Sequence, residues 1–436
     1  MNLNLYKIKR LFKGNFAKNV LIITGGTAIA QVINTLLSPI ITRIYPPEQY
    51  GVLTVYASIL SISVIIGSLK YEWGIPIADD DDIAINVLSL SVIILFIVTV
   101  LITIILIFVG DVFLRLFDGE VLIEFKFIIP LGLFFTGLYN IFTQWSYRKQ
   151  DYKSISKTKF TQAITQNIVK ICCGLMNLGP IGLILGNIFG QSAGITTLSM
   201  PLIKKDKGLF TKINIKDIYR CAKRYIKFPI YSAPGQFLNI TGLQLPVLFI
   251  TLLYGNTIVG LYGLANSIVS IPMNLIGNSI ADVFYGEAAA IGKSDPRRLK
   301  DLSFNLLRRS ALIGATPLIV LLLFGPLLFS FIFGEIWREA GIFARIISFL
   351  VFTRLIFTPI TRIFSVYEKQ KESLVLDGLR ALLVLIVFCV SKLLLLNSYW
   401  SIALYAIAMS FVYLLTYLYA HKVLNAEISR MDNLVN

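Results

Sequence analysis

Two cations stand where cations are rarely found. Lys170 and Arg354 each lie near the middle of a long apolar stretch, and no acidic residue stands at a comparable depth to pair with either. A buried, unpaired cation costs several kcal/mol unless water or an anion meets it. A water-filled cavity that receives an anionic substrate resolves this most simply. Arginine suits phosphate there, because its fork is planar and bidentate. Arg43 and Arg362 lie nearer the ends of apolar stretches, where snorkelling or topology explains a cation as well as function does.

Polar residues recur at helical spacing around these cations. Thr24, Thr27, Gln31, Asn34 and Ser38 follow one another at intervals of three and four, so one helix face carries all five. Thr158, Gln162, Gln166 and Lys170 repeat every four residues, as do Asn266, Ser270, Asn274, Asn278 and Asp282. Gln236, Asn239 and Gln244 add a further polar set. Such side chains avoid lipid and face a bundle interior or a wet cavity. Single residues of this kind serve as interhelical glue. Whole stripes on paired helices favour a cavity, with Gln31, Asn34, Gln236, Asn266, Asn274 and Asn278 as substrate-binding candidates beside the cations. Asp282 ends its stripe, either as a relay for a coupling ion or simply as an acid at a helix end.

Other chemistry finds little support. The only histidine is His421, and Cys172, Cys173, Cys221 and Cys389 form no metal-binding spacing or disulfide framework. Asp79–Asp82 could be imagined around a metal, but four acids also suit a solvated turn before a helix N-terminus. No phosphate-binding Gly-rich loop of the Walker type is present. Neither a cofactor nor a catalytic constellation is expected.

The elements that must position these residues are membrane spans. Of the 436 residues, 56% are hydrophobic and 15% charged, where a soluble domain has roughly 25% charged residues. The mean hydropathy is +0.75. These values exclude a soluble enzyme, a disordered chain and a coiled coil. A spanning helix needs about 20 mainly apolar residues. Apolar runs occur at 20–42, 51–70, 83–109, 121–147, 158–177, 180–202, 228–253, 256–281, 302–333, 341–365, 373–396 and 399–420. The run at 158–177 is amphipathic, and Pro317 and Pro326 interrupt 302–333. The first run is too long and too polar for a signal-peptide core, and is read as a retained span.

The net charge of +16 marks loops on the cytoplasmic side rather than a nucleic-acid partner. Lys7, Lys9, Arg10, Lys13 and Lys18 place the N-terminal tail inside, and both termini then lie inside. The densest basic loop, 203–227, contains Lys204, Lys205, Lys207, Lys212, Lys216, Arg220, Lys223, Arg224 and Lys227. The loop 70–82 breaks the pattern with its acids, which have little influence on orientation. An internal repeat aligns TRIYPPEQYGVLTVYASILS with TLLYGNTIVGLYGLANSIVS, matching Thr42, Tyr45, Gly51, Ser58, Ile59 and Ser61 to Thr251, Tyr254, Gly260, Ser267, Ile268 and Ser270. The chain is therefore expected to be an all-α polytopic membrane protein of about 12 helices in two parallel six-helix lobes. The lobes would span 1–202 and 228–436, joined by the basic linker 203–227, with the substrate path between them.

The segment LLSPIITRIYPPEQYGVLTVYASIL resembles the corresponding signature of Wzx-type polysaccharide flippases. These are the O-antigen and capsule exporters of the multidrug/oligosaccharidyl-lipid/polysaccharide exporter superfamily. The resemblance, together with topology and repeat, covers nearly the whole chain. It implies alternating access around a cationic cavity that carries undecaprenyl-diphosphate-linked oligosaccharide from the inner to the outer leaflet of a bacterial cytoplasmic (inner) membrane. It also implies work beside a polysaccharide polymerase and a chain-length regulator in that lipid membrane. Arg43 lies inside the matching motif, whereas Lys170 and Arg354 fit the expected cavity by chemistry alone. The acidic 70–82 loop departs from the basic one expected there, which puts a headgroup contact at that point in doubt. Three other readings stand beside this one: a cation-coupled drug antiporter of the same fold, a membrane polysaccharide polymerase or glycosyltransferase, and a scaffold of an envelope complex. The antiporter would want an acidic cavity, and the enzyme a substantial outside loop.

Overall fold

Apolar helices dominate because the chain satisfies its backbone polar groups within each segment, as a lipid environment demands. The computed structural model describes residues 15–115, 120–271, 273–291, 295–367 and 369–435, and every regular element among them is helical. The basic tail residues Lys7, Lys9, Arg10 and Lys13 lie outside the described residues, as does the side chain of Lys18. The chain divides into two compact units, Met1–Gln244 and Leu245–Asn436.

The first unit holds α1 (Asn15–Ile44), α2 (Pro47–Gly67), α3 (Asp81–Phe108), α4 (Ile128–Arg148), α5 (Tyr152–Leu175), α6 (Pro180–Lys205) and α7 (Ile215–Arg224). It also holds the start of α8 (Ala233–Val269). Local chemistry sets the helix starts. The Asp80 side chain accepts from the Ile83 amide at 2.7 Å, and Asp151 accepts from the Ser154 amide at 3.1 Å. Both are N-caps that satisfy an otherwise orphaned donor. Pro180 begins α6 after Gly179, whose φ of 60° favours glycine. The core of this unit gathers Tyr71, Ile85, Leu95, Leu133, Ile141 and Trp145, with Cys221 and Tyr225 packed onto it.

The second unit continues α8 and adds α9 (Asn278–Ile291), α10 (Pro296–Phe333), α11 (Arg338–Phe357), α12 (Gln370–Leu393) and α13 (Ser398–Val435). Its core includes Phe284, Leu299, Ile360, Phe364 and Leu424.

Among the described residues, nine helical stretches are long and apolar enough to cross a membrane. Outward faces fit that reading. On α3, Phe96, Ile97, Leu101, Ile105 and Phe108 are exposed, and on α10 so are Leu312, Leu323, Leu327 and Phe331. Patches of this size need a cover, and acyl chains supply one.

Several boundaries differ from the sequence reading. The runs 228–253 and 256–281 meet inside α8 at Gly255, whose φ of 79° bends the helix without a loop. The remainder of the second run becomes a π-turn, Met273–Gly277, followed by α9. The runs 121–147 and 158–177 fall on α4 and α5, which are not among the nine apolar stretches. In α5 the cause is its polar stripe and its lysines. The final helix runs on past residue 420 to Val435.

Candidate functional site

The Lys170 stripe lies in a helix hairpin. On α6, Gly182, Gly186, Gly190 and Gly194 recur every four residues and form a smooth groove. The α5 stripe fills it. A Cβ added at Gly186 would sit 2.4 Å from Lys170 Cγ and 2.8 Å from the Gln166 carbonyl oxygen. At Gly190 it would meet Gln166 Cβ at 2.8 Å, and at Gly194 Gln162 Nε2 at 2.7 Å. Only glycine allows this approach. The sequence reading missed this groove, although its four-residue spacing was visible.

Lys170 is 7% exposed. Its ammonium makes no ion pair or hydrogen bond among the described residues. Its carbonyl accepts a 2.7 Å hydrogen bond from the hydroxyl of Tyr45. Tyr45 is itself buried and belongs to the TRIYPPEQY corner that contains Arg43. That bond ties the corner to α5, while the Arg43 side chain is exposed at the end of α1.

A network of amides continues from Lys170 along α5. Asn34 Oδ1 on α1 accepts from Asn167 Nδ2 at 2.7 Å and from Gln166 Nε2 at 3.3 Å. Gln162 Nε2 donates to Gln191 Oε1 on α6 at 2.9 Å. Beside these lies a cavity of about 400 Å³, whose polar wall is Ser61, Thr136, Gln166, Asn187 and Gln191. That volume falls in the range of small-ligand sites. Amides and hydroxyls both donate and accept, which suits a polyhydroxylated ligand. Tyr56 also lines the cavity, and its buried hydroxyl has no hydrogen-bond partner among the described residues. Asn34 and Lys170, proposed separately from the sequence, thus engage different sides of α5: Asn34 bonds Gln166 and Asn167 from α1, while the Lys170 stem packs against α6. Gln31 is half-buried a turn before Asn34, and Gln236 is half-buried on α8.

In the second unit Arg354 is half-buried on α11. It lies within electrostatic reach of Tyr262 and Tyr405, which hydrogen-bond to each other. Near them Arg380 stacks over the Tyr413 ring at 5.2 Å and pairs with Asp377 at 3.1 Å. The sequence reading did not single out Arg380, which has an acid three residues before it, Asp377. Asn266 is exposed, and its side-chain oxygen accepts from Ser270 at 3.5 Å. The side chains of Asn274, Asn278 and Asp282 lie outside the described residues.

The acidic loop is a solvated turn before a helix N-terminus, with the Asp79 and Asp82 side chains 61% and 54% exposed, and it also carries ion pairs. Each of its four aspartates is engaged. Asp79 receives both terminal guanidinium nitrogens of Arg224, at 2.7 and 2.9 Å. Asp80 caps α3. Asp81 binds Arg148 Nε and Lys149 Nζ, both at 2.7 Å. Asp82 lies 3.8 Å from Lys212. Asn86 adds two bonds to the same basic segment, donating to the Lys212 carbonyl at 3.1 Å and accepting from the Asn214 amide at 3.0 Å. The hydrogen bonds and charge of Arg224 hold the Asp79 carboxyl below its ordinary pKa. The acids that looked out of place thus fasten the basic segment to the first unit.

The family described as "Polysaccharide biosynthesis protein" matches residues 40–342. Among curated proteins none matches the sequence. A multidrug resistance MATE family transporter of the MOP superfamily, in an inward-facing conformation, is 14% identical with a TM-score of 0.74, covering 92% of this chain and 96% of that one. The lipid II flippase MurJ, in an inward closed conformation, is 12% identical with a TM-score of 0.69, covering 92% and 87%. A MOP superfamily transporter from Pyrococcus furiosus, described as having a binding pocket of reversed polarity, is 13% identical with a TM-score of 0.61, covering 96% and 98%. The chain has the fold of these multi-pass membrane transporters. Transporters and a flippase, not catalytic enzymes, are what it resembles.

Proposed function

We propose that this chain, which belongs to the polysaccharide biosynthesis protein family, flips diphosphate-linked oligosaccharide carried on a polyprenyl lipid across a bacterial cytoplasmic membrane. The observation that carries this reading is Lys170: a buried ammonium, unpaired among the described residues, one turn from a hydrogen-bonded amide wall and its cavity. A diphosphate and several sugars cannot cross hydrocarbon unaided. A cation meets the diphosphate, amides and hydroxyls meet the sugars, and the lipid tail stays in the bilayer. Arg354 on α11 and Arg43 at the end of α1 are further candidate cations for the substrate. The substrate moves by alternating access, with both termini on the cytoplasmic side and with the polymerase and chain-length regulator acting after export. Asp282 remains the candidate for ion coupling, and Gln31, Gln236, Asn266, Asn274 and Asn278 for further sugar contacts.

The test is the sidedness of the lipid-linked intermediate in cells with and without this gene, read by a lectin added from outside. Deletion traps the intermediate in the inner leaflet, and a Lys170→Ala, Arg354→Ala pair at normal protein level reproduces the trap. If the intermediate still reaches the outer leaflet after deletion, the protein carries something else, and a drug antiporter of the same fold becomes the better reading. Loss of polymer with single repeat units displayed outside would instead indicate a polymerase.

A further inference from the structure

The segment that follows α6 has two faces, and the acidic loop uses only one. On α7 the inner face is Ile218, Cys221 and Ala222, continued by Tyr225, at intervals of three and four, all packed on the core of the first unit. The Tyr71 hydroxyl donates to the Ala222 carbonyl at 3.1 Å beneath it. The opposite face carries Lys216, Arg220 and Lys223, with Lys227 beyond the helix end, and all four side chains are exposed. Beside that row stand Ile215, 81% exposed, and Tyr219, 61% exposed. Lys223 Nζ lies 4.7 Å from the Tyr219 ring. Phe210, Ile213 and Ile226 extend the exposed apolar surface on either side.

The charges sort the same way. Arg224 and Lys212 pair with Asp79 and Asp82 at the surface, and Arg220 is matched by Asp217 at 2.9 Å. Lys204, Lys207, Lys216, Lys223 and Lys227 are exposed and have no ion-pair partner among the described residues. The segment also leaves one long apolar helix, α6, and enters another, α8, so its outer face lies at the level of lipid headgroups. A short helix with apolar and aromatic side chains flanked by lysines is the pattern that lies in the interface of an anionic leaflet.

We infer that the outer face of residues 204–227 seats on anionic phospholipid headgroups, while the inner face holds it to the first unit. The partner is the bilayer surface itself, recognised by five lysines for phosphate charge and by Ile215 and Tyr219 for the acyl boundary. This inference rests on the membrane-spanning fold and not on any substrate of the transporter.

The test compares the full-length protein in nanodiscs of phosphatidylcholine alone with nanodiscs containing about a quarter phosphatidylglycerol, using hydrogen–deuterium exchange resolved to 207–227. The anionic lipid slows exchange in this segment several-fold and leaves the amides of α3 unchanged. Raising salt to 0.5 M removes the slowing, because the Debye length shrinks to a few ångströms. Replacing Lys204, Lys207, Lys216, Lys223 and Lys227 by Gln abolishes the lipid dependence, and Ile215→Ser reduces it, with flipping still measurable in both. Soluble glycerophosphate at matched concentration leaves exchange unchanged. Equal exchange in both lipids, the same slowing in the glutamine variant, or slowing by glycerophosphate alone would each overturn the inference.

Discussion

At the scale of single residues, Lys170 is the one whose chemistry conflicts most with its surroundings. Its stem packs against Gly186, where a methionine would fit equally well, yet its head is a buried ammonium with no described partner. Replacing an uncompensated charge by an apolar side chain of similar length removes a desolvation cost. Lys170→Met is therefore expected to raise the unfolding temperature in detergent, by roughly 2–4 °C per kcal/mol recovered, and to lower flipping at least tenfold. Lys170→Arg is expected to keep part of the activity, since the charge stays but the planar fork must fit a groove shaped around a slim stem. Stability and activity falling together in the methionine variant would mean that the lysine is structural. The cation itself was legible in the sequence from its depth and the lack of a nearby acid. The glycines that seat it were not, because their meaning depends on which helix lies opposite.

Helix pairs decide where the polar stripes point. From spacing alone the α5 stripe favours a cavity wall over interhelical glue, and in the structure it serves as both. Gln162, Gln166 and Lys170 pack into the α6 groove, and the Gln166 and Gln191 side chains also reach the cavity. The first stripe divides along its length: Thr24 and Thr27 are exposed, Gln31 and Asn34 half-buried, and Ser38 buried. One face of a helix does not fix one environment, because the neighbouring helix covers only part of it. The groove gives a clean contrast between two glycines. A methyl at Gly186 collides with Lys170 and with a backbone oxygen, and overpacking of that kind costs about 1–3 kcal/mol. Gly378, midway along α12, has nothing within 4 Å of an added Cβ, and alanine there gains up to about 1 kcal/mol of helix propensity. Gly186→Ala is thus expected to lower the unfolding temperature and Gly378→Ala to leave it equal or higher, measured side by side by thermal scanning in detergent. A reversed order would show that α5 and α6 do not pack as described.

Over the whole molecule, hydropathy made the spans legible and charge suggested their orientation, while the long-range partners were not legible. Asp79 and Arg224 are separated by 145 positions, and nothing in a single sequence says that they meet. The acidic run looked like a departure from a basic loop because its counter-charges stand in a segment read as the basic linker 203–227. That segment is instead part of the first unit, Met1–Gln244. The pairing has a measurable consequence, because Cys221 is buried beneath it. When the segment lifts, the thiol opens to alkylation, so the labelling rate of Cys221, resolved by peptide mass spectrometry, reports docking. Asp79→Arg places two cations together and is expected to speed labelling several-fold, and Arg224→Asp to do so by a similar factor through repulsion of two acids. A surface pair of this kind contributes little alone, so neither change should unfold the protein, and the remaining Asp81, Asp82 and Asn86 contacts limit the effect. The double variant restores an opposite-charge pair with reversed polarity and is expected to bring labelling back toward the native rate. Because Arg224 lowers the Asp79 pKa, this carboxylate stays ionised at any pH above the ordinary value of about 3.9. Its contribution is therefore full across the neutral range used for labelling and is lost only in acid, as pH falls through the lowered value. Additive losses in the double variant, with no recovery, would show that the two side chains do not meet and that the basic segment is held by its apolar face alone.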